Sequence, residues 1–139
     1  MTLSVNEKAL RRELDSGPFQ QFLGLELVSA NTTKQELVLR LRYKPEFERL
    51  PGTGQIHGGV TSALVDIAGD FALIMLLDRP IPTINLRIDY LSMAVNTDLI
   101  ATAQVVRAGR SIGVVDVTIT DTSDKKIAVG RGCYSTLNH

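Results

Sequence analysis

Over residues 57–77 the apolar side chains recur at helical spacing, as Val60, Ala63, Leu64, Ile67, Ala68, Phe71 and Met75. Val65 and Ile74 fall off that stripe and are apolar too, so the predicted helix is apolar nearly all round, the mark of a buried helix. Its only charged residues before Asp78 are Asp66 and Asp70, four apart and hence on one face. On both sides of this helix the period changes to two. Residues 35–42 put Leu37, Leu39 and Leu41 on one face of a half-buried strand. Ile84, Leu86, Ile88 and Tyr90 alternate with Asn85, Arg87 and Asp89, and Val115, Val117 and Ile119 alternate with Asp116, Thr118 and Thr120. Residues 23–30, 99–106 and 126–136 complete the predicted strands, with turns at Ala108-Gly109 and over residues 122–125.

Ahead of the strands, Ser4-Val5-Asn6-Glu7 reads as a capping box, in which the serine hydroxyl and the glutamate carboxylate each satisfy a free backbone N–H. A short helix with Val5, Ala9, Leu10 and Leu14 on one side follows and is stopped by Gly17-Pro18. Residues 43–56, holding Pro45, Pro51, Gly52 and Gly54, form a polar loop long enough to be functional. The order is helix, two strands, long buried helix, four strands. Late strands joined by short turns are antiparallel. The reading is an α+β fold, a curved antiparallel sheet around one long central helix, in a single domain over residues 1–139 with an N-terminal helical segment at 1–18. What the sheet leaves uncovered a second subunit would cover.

Composition narrows the function classes. Of 139 residues, 44% are hydrophobic and 22% charged, the balance of an ordinary globular domain. Formal net charge is zero with no run of cations, which argues against a nucleic-acid surface. Cys133 is the single cysteine, so no intrachain disulfide or cysteine-based zinc cluster can form. Residues 1–12 lack the apolar core of a secretory signal, so the expected location is cytoplasmic. The longest apolar run, residues 71–77, is too short to span a bilayer.

The sharpest chemical signal is His57-Gly58-Gly59 followed by Asp66. The glycines open the buried helix, whose N-terminus offers unpaired N–H groups and partial positive charge. Without side chains there, a substrate carbonyl can approach the backbone closely. Such donors stabilise the oxyanion formed when a thioester is attacked, and losing one typically costs roughly 10²–10³ in rate. The alternative is plainer: glycines that ease the start of a helix, and a hydrogen-bonded buried aspartate. His57 is a poor main base there, because a helix N-terminus disfavours a protonated imidazole.

The stretch Ile56-His57-Gly58-Gly59-Val60-Thr61-Ser62-Ala63-Leu64-Val65-Asp66 resembles the hotdog-fold acyl-CoA thioesterases of the phenylacetate-pathway (PaaI-type) family, which carry an HGG turn with an aspartate nine residues after its histidine. The resemblance continues through Asn85-Leu86-Arg87-Ile88-Asp89-Tyr90-Leu91 and Gly109-Arg110-Ser111, about residues 20–136. It implies hydrolysis of an acyl- or aroyl-CoA thioester to free acid and CoA, with no cofactor and no metal. Asp66 would be general base or nucleophile. The Gly58 N–H, helped by Gly59, would polarise the carbonyl, and His57 would orient the turn. Thr83 falls where some relatives place a hydroxyl that positions water. The resemblance also implies a homodimer, with Asp66 and the HGG turn contributed by opposite chains, and a homotetramer from two dimers.

Coenzyme A needs cations for its phosphates, and Arg107 and Arg110 flank the predicted turn, with Ser111 adding a hydroxyl. A solvated hairpin turn is the competing reading of these three, and Arg87 reads equally as an interface salt-bridge partner. Asp70 either shares the cleft of Asp66, raising one pKa by like-charge repulsion, or lies at a subunit interface or beside a cation. One departure stands out. Many relatives have Asn or Gln six residues before the HGG histidine, where this chain has Pro51, with neither a side-chain amide nor a backbone N–H. That departure motivates a second reading, a non-catalytic acyl-CoA-binding or sensor module on the same fold.

Overall fold

The computed structural model describes residues 7–138, so Ser4, Val5 and Asn6 of the capping box lie outside the described residues. Helix α1, Glu7–Ser16, buries Leu10 and Leu14, whereas Ala9, expected on the same side, is exposed. Gly17 ends α1 as expected, but Pro18 does more than stop it. It opens a second helix, α2 (Pro18–Leu23), because a proline lacks only an N–H that the first helical turn would leave unpaired anyway.

Six strands follow: β1 Leu25–Asn31, β2 Glu36–Leu41, β3 Thr83–Tyr90, β4 Leu99–Ala108, β5 Ile112–Thr120 and β6 Lys126–Ser135. They form one antiparallel sheet in the order β1-β2-β4-β5-β6-β3. The late strands are neighbours in sequence order only from β4 to β6. Strand β3 instead crosses to the far edge and pairs with β6, Arg87 opposite Arg131. The segment 91–98 that makes this crossing is too long and too irregular for a hairpin turn.

Helix α3, Gly58–Leu77, lies across β4, β5 and β6 inside the curl of the sheet, the hotdog arrangement. It is long and apolar enough to cross a membrane, yet about half of it is buried within the chain, as befits a core helix. Period-two alternation on the inner face explains the fit: Leu37, Leu39 and Leu41 of β2, Ala101 and Ala103 of β4, and Val115, Val117 and Ile119 of β5 are all buried. Small residues on β4 let the helix approach. Bulges between Leu27 and Ser29 and between Val105 and Arg107 interrupt the pairing where the sheet turns around the helix.

One contact fixes the middle of α3 against the sheet. The Tyr134 ring is fully buried under Gly69, where an added Cβ would overlap the phenol oxygen. Its hydroxyl donates to the Asp66 carbonyl at 3.0 Å. The helical turn that bears Asp66 is thereby tied to β6. The opposite stripe of α3, with Ser62, Ala63, Asp66, Ile67 and Asp70, is only partly covered by the chain's own residues.

Candidate active site

His57 is the N-cap of α3, with extended backbone (φ −63°, ψ 136°), and its Nδ1 accepts the Gly59 N–H at 2.8 Å. An imidazole nitrogen that accepts carries no proton, so the ring proton sits on Nε2. The Gly59 amide is therefore engaged within the turn, whereas the Gly58 amide has no acceptor among the described residues. Three contacts hold this turn. The His57 N–H donates to the Phe47 carbonyl at 2.8 Å, and the Ile56 N–H donates to the Ala94 carbonyl at 3.0 Å. The Tyr90 hydroxyl donates to the Gly58 carbonyl at 2.9 Å, with its ring against the glycine.

Tyr90 has a place that sequence reasoning missed. Its position in the alternating run put it on the Leu86–Ile88 face, but only the fold carries the end of β3 to the start of α3. The long loop also proved more ordered than its polar composition suggested. A 3₁₀ turn, Pro45–Phe47, buries the Phe47 ring, which with Ile56 anchors the loop in the core. Pro51 and Gly52 (φ 78°) are the corners of a turn closed by the Thr53 N–H to the Leu50 carbonyl. Proline at the first corner and a left-handed glycine at the second are the residues such a turn takes. The side-chain oxygen of Gln55 accepts from Arg49 Nη1 at 2.9 Å.

Asp66 sits half-buried on the open stripe of α3, and the Thr83 hydroxyl donates to its Oδ1 at 2.7 Å. Thr83 begins β3, so the carboxylate is held between helix and edge strand, and its second oxygen has no hydrogen-bond partner among the described residues. Asp70, one turn further on, is different. Burial first, then the Asp66 charge, then Glu13 of α1, push its carboxyl up to about 7. Its Oδ1 is buried without a hydrogen-bond partner among the described residues. The same burial and the same two aspartates push the Tyr134 phenol up.

Two cavities flank α3. One, of about 350 Å³, opens on the HGG turn and is lined by Arg49, Gly58, Thr61, Tyr90 and Met93 among others. The other, of about 360 Å³, lies between α3, α1 and the Pro80–Pro82 segment, with Asp70 in its wall. Gly58 and Asp66 belong to opposite ends of this arrangement. Eight residues of helix separate them, a rise of about 12 Å. A carbonyl carbon cannot touch both from within one chain. Arg107, Arg110 and Ser111 are exposed around the β4–β5 turn and line neither cavity. Arg87 is exposed and lies 3.4 Å from Asp89.

Known proteins resemble this chain along most of its length. A family model described as the thioesterase superfamily matches residues 53–128, which include the HGG turn, Asp66 and Thr83. A protein of Halobacterium salinarum described as an esterase is 36% identical over 132 residues, covering 87% of this chain and 85% of that protein. Human acyl-coenzyme A thioesterase 13 is 32% identical over 136 residues, covering 94% and 93%. The structure of the PaaI protein from the E. coli phenylacetic acid degradation operon superposes with a TM-score of 0.81 at 25% identity, covering 96% of this chain and 91% of that one.

Proposed function

Because this chain belongs to the thioesterase superfamily and is a thioester hydrolase, we propose that its substrate is an acyl- or aroyl-CoA and that Asp66 drives the cleavage. The observation that carries the proposal is the Asp66 carboxylate, fixed by Thr83 at 2.7 Å on the uncovered stripe of α3. One oxygen is anchored and one is open, the arrangement a general base or a nucleophile needs.

The oxyanion donor comes from a second copy of the chain. A base and an amide that act on one carbonyl must lie within a few ångströms of it, and about 12 Å of helix separates Gly58 from Asp66 within one protomer. A two-fold dimer that sets the uncovered stripes of two α3 helices alongside brings the Gly58 N–H of one chain to Asp66 of the other. Strand β3 supplies the means, since it is an edge strand paired only with β6 and followed by exposed Leu91, Met93 and Val95. In the assembled site the Gly58 amide polarises the thioester carbonyl, and Asp66 takes a proton from water or attacks directly. CoA leaves as the thiolate. His57 and Tyr90 hold the turn rigid. Arg107, Arg110 and Ser111, exposed around the β4–β5 turn, take the CoA phosphates. Two such dimers make a tetramer.

The test is thiol release from short, medium, long and aromatic acyl-CoA esters, together with light scattering. Hydrolysis by a dimer or tetramer supports the proposal. A monomer in solution would refute the shared site. Tight binding of CoA esters without turnover would favour instead the binding module that Pro51 suggests. Within the site, Thr83→Val removes the hydroxyl that anchors Asp66, a charge-assisted hydrogen bond worth about 1.5–3 kcal/mol. The expected result is a kcat about tenfold lower with little change in KM or melting temperature, and recovery of most of the rate in Thr83→Ser.

A further inference from the structure

The Thr61 hydroxyl is a buried polar group that neither the fold nor the hydrolytic step above employs. Thr61 is only 3% exposed, and its side chain makes no hydrogen bond among the described residues. Its neighbour Ser62 does what helical hydroxyls commonly do and bonds back to the Gly59 carbonyl, at 3.0 Å. The carbonyls within reach of Thr61 are already served. Gly58 accepts from the Tyr90 hydroxyl, and His57 accepts from the Val60 and Thr61 amides. The Thr61 oxygen is not sealed in either. Among the described residues, the sealed side-chain polar atoms without a partner are Asp70 Oδ1 and Arg79 Nε. The Thr61 oxygen therefore keeps access to open space, and that space is the cavity of about 350 Å³ whose wall holds both Thr61 and Gly58.

Helix geometry sets this hydroxyl beside the Gly58 amide. Residues three apart share a helix face, and a helical side chain leans over the turn that precedes it. The turn preceding Thr61 begins at Gly58, the first residue of α3, which has no side chain to fill the gap. The Gly58 amide has no acceptor among the described residues, and in the shared site argued above it meets the thioester carbonyl oxygen. Neighbouring donors are engaged elsewhere. The Gly59 amide is bonded to His57 Nδ1 at 2.8 Å, and Arg49 in the same wall holds the Gln55 oxygen at 2.9 Å. Pro51 has no amide hydrogen to give.

We propose that Thr61 is a catalytic residue whose hydroxyl is a second donor to the thioester carbonyl oxygen, beside the Gly58 amide of the same chain. This rests on the acyl-CoA reading above and adds a residue to its machinery. As the attacking oxygen bonds to the carbonyl carbon, the π pair moves onto the carbonyl oxygen. The Gly58 N–H and the Thr61 O–H stabilise that charge without giving up their protons. When the C–S bond breaks, the carbonyl re-forms and sulfur leaves with the bonding pair. A buried donor without a partner costs stability, a cost that the bound carbonyl removes.

The test uses Thr61→Val, which keeps the β-branched shape, and Thr61→Ser, which keeps the hydroxyl. For each, kcat and KM are measured on the acyl-CoA panel above, with the melting temperature alongside. The infrared band of hexanoyl-CoA labelled with ¹³C at its carbonyl is recorded on Asp66→Asn protein, with and without Thr61→Val. The expected result is a kcat lower by about 10²-fold in Thr61→Val, the loss typical of one oxyanion donor, with little change in KM. Thr61→Ser recovers most of the rate. The melting temperature of Thr61→Val equals or exceeds that of the wild type, because the lost hydroxyl had no partner. The bound carbonyl absorbs at lower frequency when Thr61 is present. Wild-type kcat in Thr61→Val overturns the inference. So does a loss that comes with a lower melting temperature and is not restored by serine, which would give the hydroxyl to the fold. A larger loss in Ser92→Ala, the other hydroxyl in the cavity wall, would move the role there. A carbonyl shift that depends on Thr61 in a protein that turns over no ester keeps the inference and sinks the hydrolase reading. Turnover that ignores Thr61→Val does the reverse, and failure to bind any ester sinks both.

Discussion

Asp66→Asn is expected to lower kcat for acyl-CoA hydrolysis by about 10²–10⁴-fold, the range by which positioned acid–base groups accelerate reactions, while KM stays within a few-fold. The substitution is isosteric. The asparagine Oδ1 can still accept the Thr83 hydroxyl, which now reaches Asp66 at 2.7 Å, and the Asp66 carbonyl keeps its bond from Tyr134. The fold therefore has no reason to change, and what disappears is the basic, anionic oxygen. No neighbour can substitute. Asp70 is one turn away, about 6 Å along the helix, and with its carboxyl raised to about 7 about half of it is protonated at neutral pH. His57 has its Nδ1 committed to the Gly59 amide. Measuring kcat and KM separately distinguishes the outcomes, because loss of an interaction made only in the transition state falls on kcat. An Asp66→Asn protein that kept more than a tenth of wild-type kcat would remove Asp66 from the mechanism.

How legible was this in the sequence? Local period carried far. The helical recurrence from Val60 to Met75 and the alternation of Val115, Val117 and Ile119 each name an element and its buried face, because both are set by geometry within a few residues. The HGG turn was legible for the same reason, since glycines at a helix start have few structural meanings. Long-range partners were not. Nothing in the run from Ile84 to Tyr90 says that it pairs with β6 at the sheet edge, and two of its alternating apolar residues, Ile84 and Tyr90, are exposed. Period two specifies a face, but whether that face meets core, solvent or another subunit depends on the whole topology. Pro18 carries two meanings, helix end and helix start, and both hold: α1 stops at Ser16 as expected, while the start of α2 was not read from the sequence. Ala9 shows that a small residue at the rim of an apolar stripe is a weak reporter of burial. The Thr83–Asp66 bond joins residues 17 apart, so only resemblance pointed to Thr83, and no pattern pointed to Tyr90 or Tyr134. For Asp70 the sequence supplied the neighbour, Asp66, but burial is the larger cause of its raised pKa, and burial is a property of the assembled fold.

That burial has a thermodynamic consequence large enough to measure. Asp70→Asn is expected to stabilise the protein at pH 8 by about 2–4 kcal/mol and to change stability little near pH 4. In the unfolded chain the carboxyl has its ordinary value of 3.8, whereas in the folded protein it is raised to about 7. Below the unfolded value both states hold the proton, and the folded state carries no penalty. Between the two values the unfolded chain ionises while the folded one keeps its proton, so each pH unit favours unfolding by about 1.36 kcal/mol. Above the folded value both are ionised and the loss is complete. A difference of about three in pKa sets a ceiling near 4 kcal/mol, and partial solvent access to the side chain brings the expected figure below it. Asparagine matches the neutral acid in shape and cannot ionise, so it escapes the loss. Urea unfolding at a fixed protein concentration, run at pH 4, 6 and 8, gives the comparison directly. The gap between variant and wild type should open as pH rises and level off above about pH 7. A gap independent of pH would mean that Asp70 is ionised in the folded protein throughout, stabilised by a cation from a second copy of the chain.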